Sequence, residues 1–168
     1  MPTTAFKAQK HQERWNEIVR DPVLRDLPYK VEINNRGQIV LSPHTAYHAR
    51  QQKAVMTHLD TLLPEGEAYQ EYPVATAEGT KQVDVMWASE EREREMQETG
   101  DPPTLAPEIC VEVLSDSNTW AEMEEKRSLY LEAGAEEVWV VTEGGNVRFF
   151  ADEELEESEL VSGFPGEL

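Results

Sequence analysis

The hydrophobic pattern is clearest in the second half of the chain, where a strand pattern, a helix pattern and a second strand pattern follow one another. Ile109–Leu114 is a β-branched run with one acid, Glu112, between two valines, which is typical of a strand. The polar cluster Ser115–Asn118 then precedes a helical pattern, which ends at Gly134. Val138–Val141 is apolar without alternation, as in a strand that is covered on both faces. These patterns predict a β-α-β unit with a carboxylate inside a buried strand.

Weaker patterns predict elements on both sides of this unit. A turn signature at Asn34–Gly37 lies between two short β patterns, so we predict a β-hairpin there. Met1–Gln12 is polar and predicted to be loosely held, and Ser89–Thr104 is predicted to be an acidic excursion. The other predicted elements are a short helix at Glu13–Arg20, hairpin strands at Lys30–Glu32 and Gln38–Leu41, an amphipathic helix at His44–Leu63, and strands at Ala68–Ala75, Gln82–Trp87 and Asn146–Phe150.

Length and composition limit the kind of protein to which this β-α-β unit can belong. The chain has 168 residues, enough for one domain that buries roughly 70% of its unfolded surface. We divide it into an N-terminal extension with a short helix (1–29), one α/β domain (30–150) and an acidic C-terminal tail or lid (151–168). Cys110 is the only cysteine, which excludes an internal disulfide and a thiolate metal cluster. No apolar run approaches the ~20 residues of a membrane span and no hydrophobic signal segment opens the chain, so we expect a cytoplasmic protein without membrane association.

The charge balance is strongly acidic, with 34 Asp and Glu against 15 Lys and Arg and a formal net charge of −19. Such a charge opposes non-specific attraction to nucleic acid, whose affinity comes largely from neutralising phosphates. Much of the acid lies in two segments, Glu90–Glu98 and Asp152–Glu159. The charge of the whole chain therefore need not describe the charge of a cleft.

Two predicted strands repeat one pattern, an acid between two valines. Asp84 follows Val83 and precedes Val85, as Glu112 stands between Val111 and Val113. Because side chains alternate along a strand, the acid faces away from its two valines. If the two strands are neighbours in suitable register, the two carboxylates converge. Two carboxylates beside a backbone carbonyl suit a hard cation such as Mg²⁺, which lowers the pKa of a bound water and stabilises charge on a phosphoryl oxygen.

The helix of the β-α-β unit offers a cation for this site. Lys126 lies three residues after Met123 and four before Tyr130, so the three share one side of the helix. A buried carboxylate is costly unless something pairs with it. We therefore expect Lys126 to reach toward Glu112, where an ammonium group can stabilise developing negative charge.

In this order of elements and residues the chain resembles the PD-(D/E)XK nuclease superfamily and, more closely, the Uma-two family of bacterial restriction endonucleases. The family's central stretch is matched by Glu112 with the "VLSDS" that follows it, by Lys126 with Tyr130, and by Gly134 through Trp139. Its earlier segment is matched by an acid in the hairpin, a Ser-Pro pair and a histidine: Glu32, Ser42-Pro43 and His48. The superfamily's usual lysine position, two residues after the second acid, is Leu114 here, so the resemblance implies that Lys126 takes its place.

The resemblance implies an α/β (α+β) fold, a restriction-endonuclease-like mixed β-sheet flanked by helices with an N-terminal β-hairpin. It implies a Mg²⁺-dependent endonuclease, with Mn²⁺ as a substitute, that hydrolyses phosphodiester bonds of nucleic acid, DNA foremost. Asp84, Glu112 and Lys126 would be catalytic, and the metal would be held by Asp84, Glu112 and the backbone carbonyl of Val113. Glu32 and His48 are further candidates to complete the site.

Other interpretations stay open. The chain could keep the nuclease fold as a catalytically silent binding or assembly module, or act on a small phosphorylated substrate with the same acids. Asp84 could be a satisfied acid of an edge strand, and Glu112 could serve a structural ion pair. Lys126 could form a helix salt bridge with Glu122. Ser115 and Ser117 are interpreted as capping or turn residues rather than nucleophiles. A homodimer is also open.

Overall fold

The structure, a computed structural model, describes residues 3–116 and 118–168. Six strands form a mixed sheet in the order β3-β4-β5-β6-β7-β8, and a separate two-stranded hairpin pairs β1 with β2. Strands β5 and β6 are parallel, and the other neighbouring pairs are antiparallel. The elements in chain order are α1 (Thr4–Arg20), β1 (Lys30–Ile33), β2 (Ile39–Ser42), α2 (Ala46–Leu62), β3 (Gly66–Thr76), β4 (Gly79–Ser89), α3 (Glu90–Glu98), β5 (Ile109–Val113), α4 (Trp120–Glu132), β6 (Glu137–Val141), β7 (Val147–Phe150) and β8 (Glu154–Leu155).

The predicted β-α-β unit is confirmed as β5-α4-β6. Helix α4 begins with a capping box in which Thr119 and Glu122 satisfy each other's backbone N–H groups, and Gly134 follows its end with φ +110°. Ser115 donates to Asn118 in the turn before the helix, whereas Ser117 lies outside the described residues. The valines predicted to form the apolar centre are all buried: Val111, Val113, Val138, Val140 and Val141.

Helices cover both faces of the sheet, which is why β5 and β6 lack alternation. On one face, Val55 and Leu59 of α2 join a core that includes Trp139. On the other face, Met123 of α4 packs with Val140 and further side chains. The predicted fold, a mixed sheet flanked by helices with an N-terminal hairpin, is confirmed.

The N-terminal segment differs from its prediction. The expected loose segment and short helix form one helix, α1, which begins at Thr4 after the N-cap Thr3. Its buried residues recur at helical spacing: Ala8, His11, Trp15 and Ile18. Ala8 is small and His11 is polar. The prediction was wrong because a stripe begun by alanine and histidine has little apolar signal.

The acidic excursion also contains a helix, α3. The Ser89 side chain accepts from the Arg92 N–H at its N-terminus, and Glu108 accepts from both the N–H and the hydroxyl of Ser89. Acids in the first turn suit the positive end of a helix. The charge run that indicated a loop therefore stabilises a helix.

Residues 151–168, predicted as a tail or lid, pack on the sheet. Val161 and Phe164 belong to the same core as Trp139. The N–H groups of Val147 and Leu168 donate to Gly166 and Gly145, which fastens the end of the chain to the β6–β7 turn. Within the described part of the chain, no helix is both long enough and apolar enough to span a membrane.

The hairpin lies across the β3–β4 turn, and this contact positions the site. Gly79 has φ +116°, and a Cβ there would collide with the backbone oxygen of Ile33. The close approach sets β1 against β4. Side chains of β1 therefore reach the acid of β4.

Candidate active site

The two acids of the valine-acid-valine pattern meet between neighbouring strands. Val85 of β4 pairs with Val111 of β5 in an antiparallel register, which sets Asp84 opposite Glu112. Their side chains are 1% and 2% exposed. Both carboxylates contact the ammonium group of Lys30, Asp84 at 2.7 Å and Glu112 at 3.3 Å. The prediction that the two carboxylates lie on adjacent strands and share one face is confirmed.

Five buried charged side chains form a row of alternating sign, which we call the charge row: Asp84, Lys30, Glu112, Lys126 and Glu32. The N–O distances along it are 2.7, 3.3, 3.5 and 3.0 Å. Three carboxylates and two ammonium groups leave one negative charge in excess when every member is ionised. A further cation or a proton would neutralise the row, because uncompensated buried charge is costly.

Lys126 lies inside the protein, as the helix pattern predicted. Its ammonium group is 3.0 Å from Glu32 Oε2 and 3.5 Å from Glu112 Oε1. Glu122, the partner in the alternative interpretation, instead accepts from the backbone N–H of Thr119 in the capping box. The surface salt bridge is therefore wrong, and Lys126 belongs to the charge row.

Glu32 and His48, the two further candidates, both reach the site. Glu32 Oε2 accepts from Lys126 and from the backbone N–H of Gln82. His48 Nε2 lies 3.1 Å from Asp84 Oδ2, and its buried Nδ1 has no hydrogen-bond partner among the described residues. Glu32 of the hairpin is thus one end of the row, and His48 in the first turn of α2 contacts Asp84 at the other end.

Asp84 is held by its backbone as well as its carboxylate. The Val113 N–H donates to Asp84 Oδ2 at 2.8 Å, and Gln52 Nε2 donates to the Asp84 carbonyl at 3.4 Å. Opposite Asp84 in the β3–β4 register, Glu71 has φ +51° and forms no ladder pair. Positive φ in a residue other than glycine is strained, and such strain often lies at functional sites.

Burial and the neighbouring charges shift the pKa values of Asp84 and Glu112 in opposite directions. Burial raises the pKa of Asp84, but Lys30 and the hydrogen bond from His48 outweigh it and hold that pKa well below its usual range. Burial and then the Asp84 charge raise the pKa of Glu112 to about 7, against the lowering effect of Lys126 and Lys30. One carboxylate of the pair is ionised and the other titrates near neutrality.

The surroundings also shift the pKa values of two other members of the row, Lys30 and Glu32, and of the neighbouring Tyr130. Burial lowers the pKa of Lys30, yet Asp84 and Glu112 raise it well above its usual value. Burial likewise opposes ionisation of Glu32, and Lys126 overcomes it, so that the pKa of Glu32 is lowered. The Tyr130 hydroxyl, whose pKa is raised well above its usual value by burial and then Glu112, donates to Glu112 Oε1 at 2.6 Å.

Sequence reasoning missed Lys30, the cation that touches both acids. Its signal was present, because Lys30 and Glu32 are two residues apart on β1 and so face the same side. A lysine and a glutamate alternating with apolar residues in a short strand is an ordinary surface pattern, however. The close packing of the hairpin on β4 is what buries both side chains.

The donor set fits a hard cation better than zinc. In residues 3–116 and 118–168, no group of three or more His, Cys, Asp or Glu side chains is arranged to hold a metal ion. Mg²⁺ needs fewer protein ligands, since it keeps several waters and binds through one or two carboxylates. Asp84 and Glu112 are two carboxylates that could serve in this way. The excess negative charge of the row also favours a cation here.

A pocket of about 260 Å³ opens beside the row. Lys126 and Glu32, two members of the row, form part of its wall. Lys81 brings a second ammonium group to it. The remaining lining residues are Val40, Leu41, Ser42, Asn118, Glu122, Glu125 and Leu129. The pocket is thus lined by two lysines and three glutamates among uncharged residues.

The family model of Uma2, described as "Putative restriction endonuclease", matches residues 15–166 of the chain. The match spans the hairpin, the β-α-β unit and every member of the charge row. The chain belongs to this family. The resemblance seen in the sequence is confirmed.

A solved structure has a similar fold. It is described as a "putative nuclease belonging to DUF820 from Anabaena variabilis ATCC 29413". The TM-score is 0.65 at 14% sequence identity, and the alignment covers 98% of this chain and 90% of that chain. This likeness supports the mixed sheet with flanking helices. No curated protein matches the chain.

Proposed function

We propose that this Uma2 member is a Mg²⁺-dependent endonuclease that hydrolyses phosphodiester bonds of DNA, with Mn²⁺ able to replace Mg²⁺. The observation that carries the proposal is the meeting of two buried carboxylates, Asp84 and Glu112, with Lys126 beside them at the wall of a pocket. The family description and the description of the similar structure, a "putative nuclease", support the same class of reaction.

Asp84, Glu112 and the backbone carbonyl of Val113 would hold the cation. The Val113 N–H already faces Asp84, and in an extended strand the carbonyl of a residue points to the same side as its N–H. When bound, Mg²⁺ lowers the pKa of a water molecule and offsets negative charge on a phosphoryl oxygen. In the hydrolysis, a water oxygen bonds to phosphorus, one P–O ester bond breaks, and the departing oxygen takes up a proton.

Lys126 would stabilise the phosphate as its negative charge develops. Its ammonium group lies 3.5 Å from Glu112, and the residue lines the pocket, so a phosphate that enters the pocket would come close to Lys126. Glu32 accepts from Lys126 and fixes the direction of its side chain. Tyr130 and His48 contact one oxygen each of Glu112 and Asp84, and the remaining oxygens would be the ones that bind the cation.

One observation favours a second candidate, a catalytically silent binding or assembly module. Lys30 already pairs with both Asp84 and Glu112, so the carboxylates have cationic partners within the chain. The net charge of −19 also opposes binding to nucleic acid. In this alternative the charge row would stabilise the fold alone.

A cleavage assay separates the two candidates. Supercoiled plasmid, linear duplex DNA and RNA would be incubated with the protein over a range of Mg²⁺, Mn²⁺ and salt concentrations. We expect cation-dependent cleavage that is lost in Glu112→Gln. The control Glu124→Gln removes an exposed acid of α4 that does not line the pocket, and cleavage should be kept in it. Cation binding without cleavage of any nucleic acid would point to another substrate. No cation binding and no cleavage would favour the silent module.

A further inference from the structure

Lys30 occupies the place between the two acids. Its ammonium group lies 2.7 Å from Asp84 Oδ1 and 3.3 Å from Glu112 Oε2, on a side chain that is 8% exposed. We propose that Lys30 is a resident cation of the site, which a divalent cation must displace in order to bind. The inference rests on the proposed function, because it concerns the same carboxylates.

The oxygen atoms of the two acids leave room for one cation. Asp84 Oδ2 already accepts from the Val113 N–H and contacts His48. Glu112 Oε1 accepts from Tyr130 and lies near Lys126. The other oxygen of each acid, Oδ1 and Oε2, contacts Lys30. A divalent cation that binds both carboxylates through these two oxygens therefore takes the position of the Lys30 ammonium group.

The two cations also exclude each other by charge. An ammonium group and a divalent ion a few ångströms apart in a buried site repel strongly, because little water screens them. The charge row has one carboxylate in excess, which compensates one additional positive charge but not two. Displacement of Lys30 removes both the steric and the electrostatic conflict.

The displaced side chain has a way to leave without moving the sheet. Lys30 is on β1 of the hairpin, and its flexible four-carbon stem can turn while the strand stays in place. Glu32 lies two residues along on the same side of β1 and lines the pocket. The ammonium group can therefore turn toward the pocket, where an entering phosphate would compensate its charge.

Cation titration of variants tests the displacement. Lys30→Met removes the competing ammonium group, and the affinity for Mn²⁺, measured by calorimetry after chelation of the purified protein, should rise by about tenfold or more. Lys81→Met is the matched control, since it also removes one positive charge near the site but contacts neither acid. It should change the affinity by no more than about threefold, the effect of charge at longer range.

A measurement on the unaltered protein covers the case in which Lys30→Met does not fold. Lysine acetylation, read peptide by peptide by mass spectrometry, should be slow at Lys30 in the chelated protein. Addition of Mn²⁺ should accelerate it several-fold, while the exposed Lys7 of α1 keeps a constant rate. Acetylation of Lys30 that is unchanged or slower with Mn²⁺ would overturn the displacement.

The outcomes distinguish a failure of this inference from a failure of the proposed metal-dependent function. If Lys30→Met binds Mn²⁺ no more tightly than the unaltered protein or than Lys81→Met, the displacement is wrong while the metal site stands. If neither the unaltered protein nor Lys30→Met binds Mn²⁺ or Mg²⁺, the metal site itself is wrong. Tighter binding in Lys30→Met alone, with faster acetylation of Lys30 in the unaltered protein, supports the inference.

Discussion

Two glutamates on the parallel pair β5 and β6 are equally buried and have opposite surroundings. Glu112 and Glu137 are each 2% exposed. Glu137 accepts four hydrogen bonds at 2.7–3.0 Å, all from uncharged donors: the Trp139 indole, the Ser158 hydroxyl, and the N–H groups of Glu159 and Leu160. Glu112 contacts two ammonium groups, a phenol and a second carboxylate.

The difference separates a carboxylate that holds the fold together from one whose protonation can change near neutral pH. Glu137 has its lone pairs filled by donors of the folded chain, and three of these donors lie in the C-terminal segment, so it fastens residues 151–168 to the sheet. Burial and the Asp84 charge raise the pKa of Glu112 to about 7, against the lowering effect of Lys126 and Lys30. A group whose pKa lies near neutrality among charged neighbours is sensitive to any added cation. Burial alone would not have told the two apart.

The largest expected effect is on cleavage. Glu112→Gln keeps the size of the side chain but removes a carboxylate that we propose binds the cation. Single-turnover cleavage of plasmid DNA in Mg²⁺ should therefore fall by about 10³-fold or more. Glu137→Gln should keep the cleavage rate per folded molecule within about twofold, because all four hydrogen bonds to Glu137 come from residues outside the charge row. Equal losses in both variants, with both folded by circular dichroism, would contradict the distinction.

Lys126→Met should slow turnover without removing the cation. The loss of one preorganised electrostatic contact commonly costs on the order of 10²–10³ in rate. Single-turnover cleavage should fall by that factor, and Mn²⁺ affinity should change little, since Lys126 is not a ligand. Full activity in this variant would take Lys126 out of the reaction and leave it a partner of Glu32.

Glu137→Gln should have its main effect on stability. The amide nitrogen cannot accept from the Trp139 indole or the Ser158 hydroxyl, so buried donors lose their partner. We expect a loss of about 1.5–3 kcal/mol in the free energy of unfolding by urea denaturation. Faster amide exchange in residues 158–161 should accompany it. An unchanged unfolding midpoint would mean that the C-terminal segment is held by Val161 and Phe164 alone.

The smallest effect concerns pH. Glu112 has an ordinary pKa of 4.5 and a folded pKa of about 7, so the folded state binds its proton more tightly than the unfolded state does. Its contribution to stability is therefore full below pH 4.5 and is lost as the pH rises through about 7, on the order of 1–3 kcal/mol. Asp84, with its lowered pKa, acts oppositely but below pH 3.8.

Urea denaturation in chelator from pH 4.5 to 8 measures this effect. The free energy of unfolding should decline with rising pH in the unaltered protein and in Glu137→Gln, and the decline should largely disappear in Glu112→Gln. A decline of the same size in Glu112→Gln would assign the titration to another group.

Part of the candidate site could be predicted from local sequence patterns. Val-acid-Val on two strands and Lys126 on the sheet side of α4 follow from the periods of strands and helices, and these residues lie in one charge row. The two strands could be placed in register only by hypothesis, because pairing of β4 with β5 depends on tertiary packing. Lys30 was missed for that reason, since only the docking of the hairpin over Gly79 brings it to Asp84.

The misread elements have a common cause. α1 buries Ala8 and His11, and α3 is stabilised by acids near its N-terminus together with a Ser89–Glu108 contact across the fold. Neither signal is a run of apolar residues, on which helix prediction mainly depends. The acidic composition of residues 151–168 likewise hid Val161 and Phe164, which hold that segment on the core.

The most direct test of the account is calorimetric titration of the chelated protein with Mn²⁺ and Mg²⁺ at pH 7, comparing the unaltered chain, Glu112→Gln and Glu137→Gln. We expect binding to the unaltered chain, release of protons as Glu112 loses its proton, affinity weakened by about tenfold or more in Glu112→Gln, and unchanged affinity in Glu137→Gln. Cation binding of equal strength in Glu112→Gln, or none in the unaltered chain, would contradict a metal site between Asp84 and Glu112.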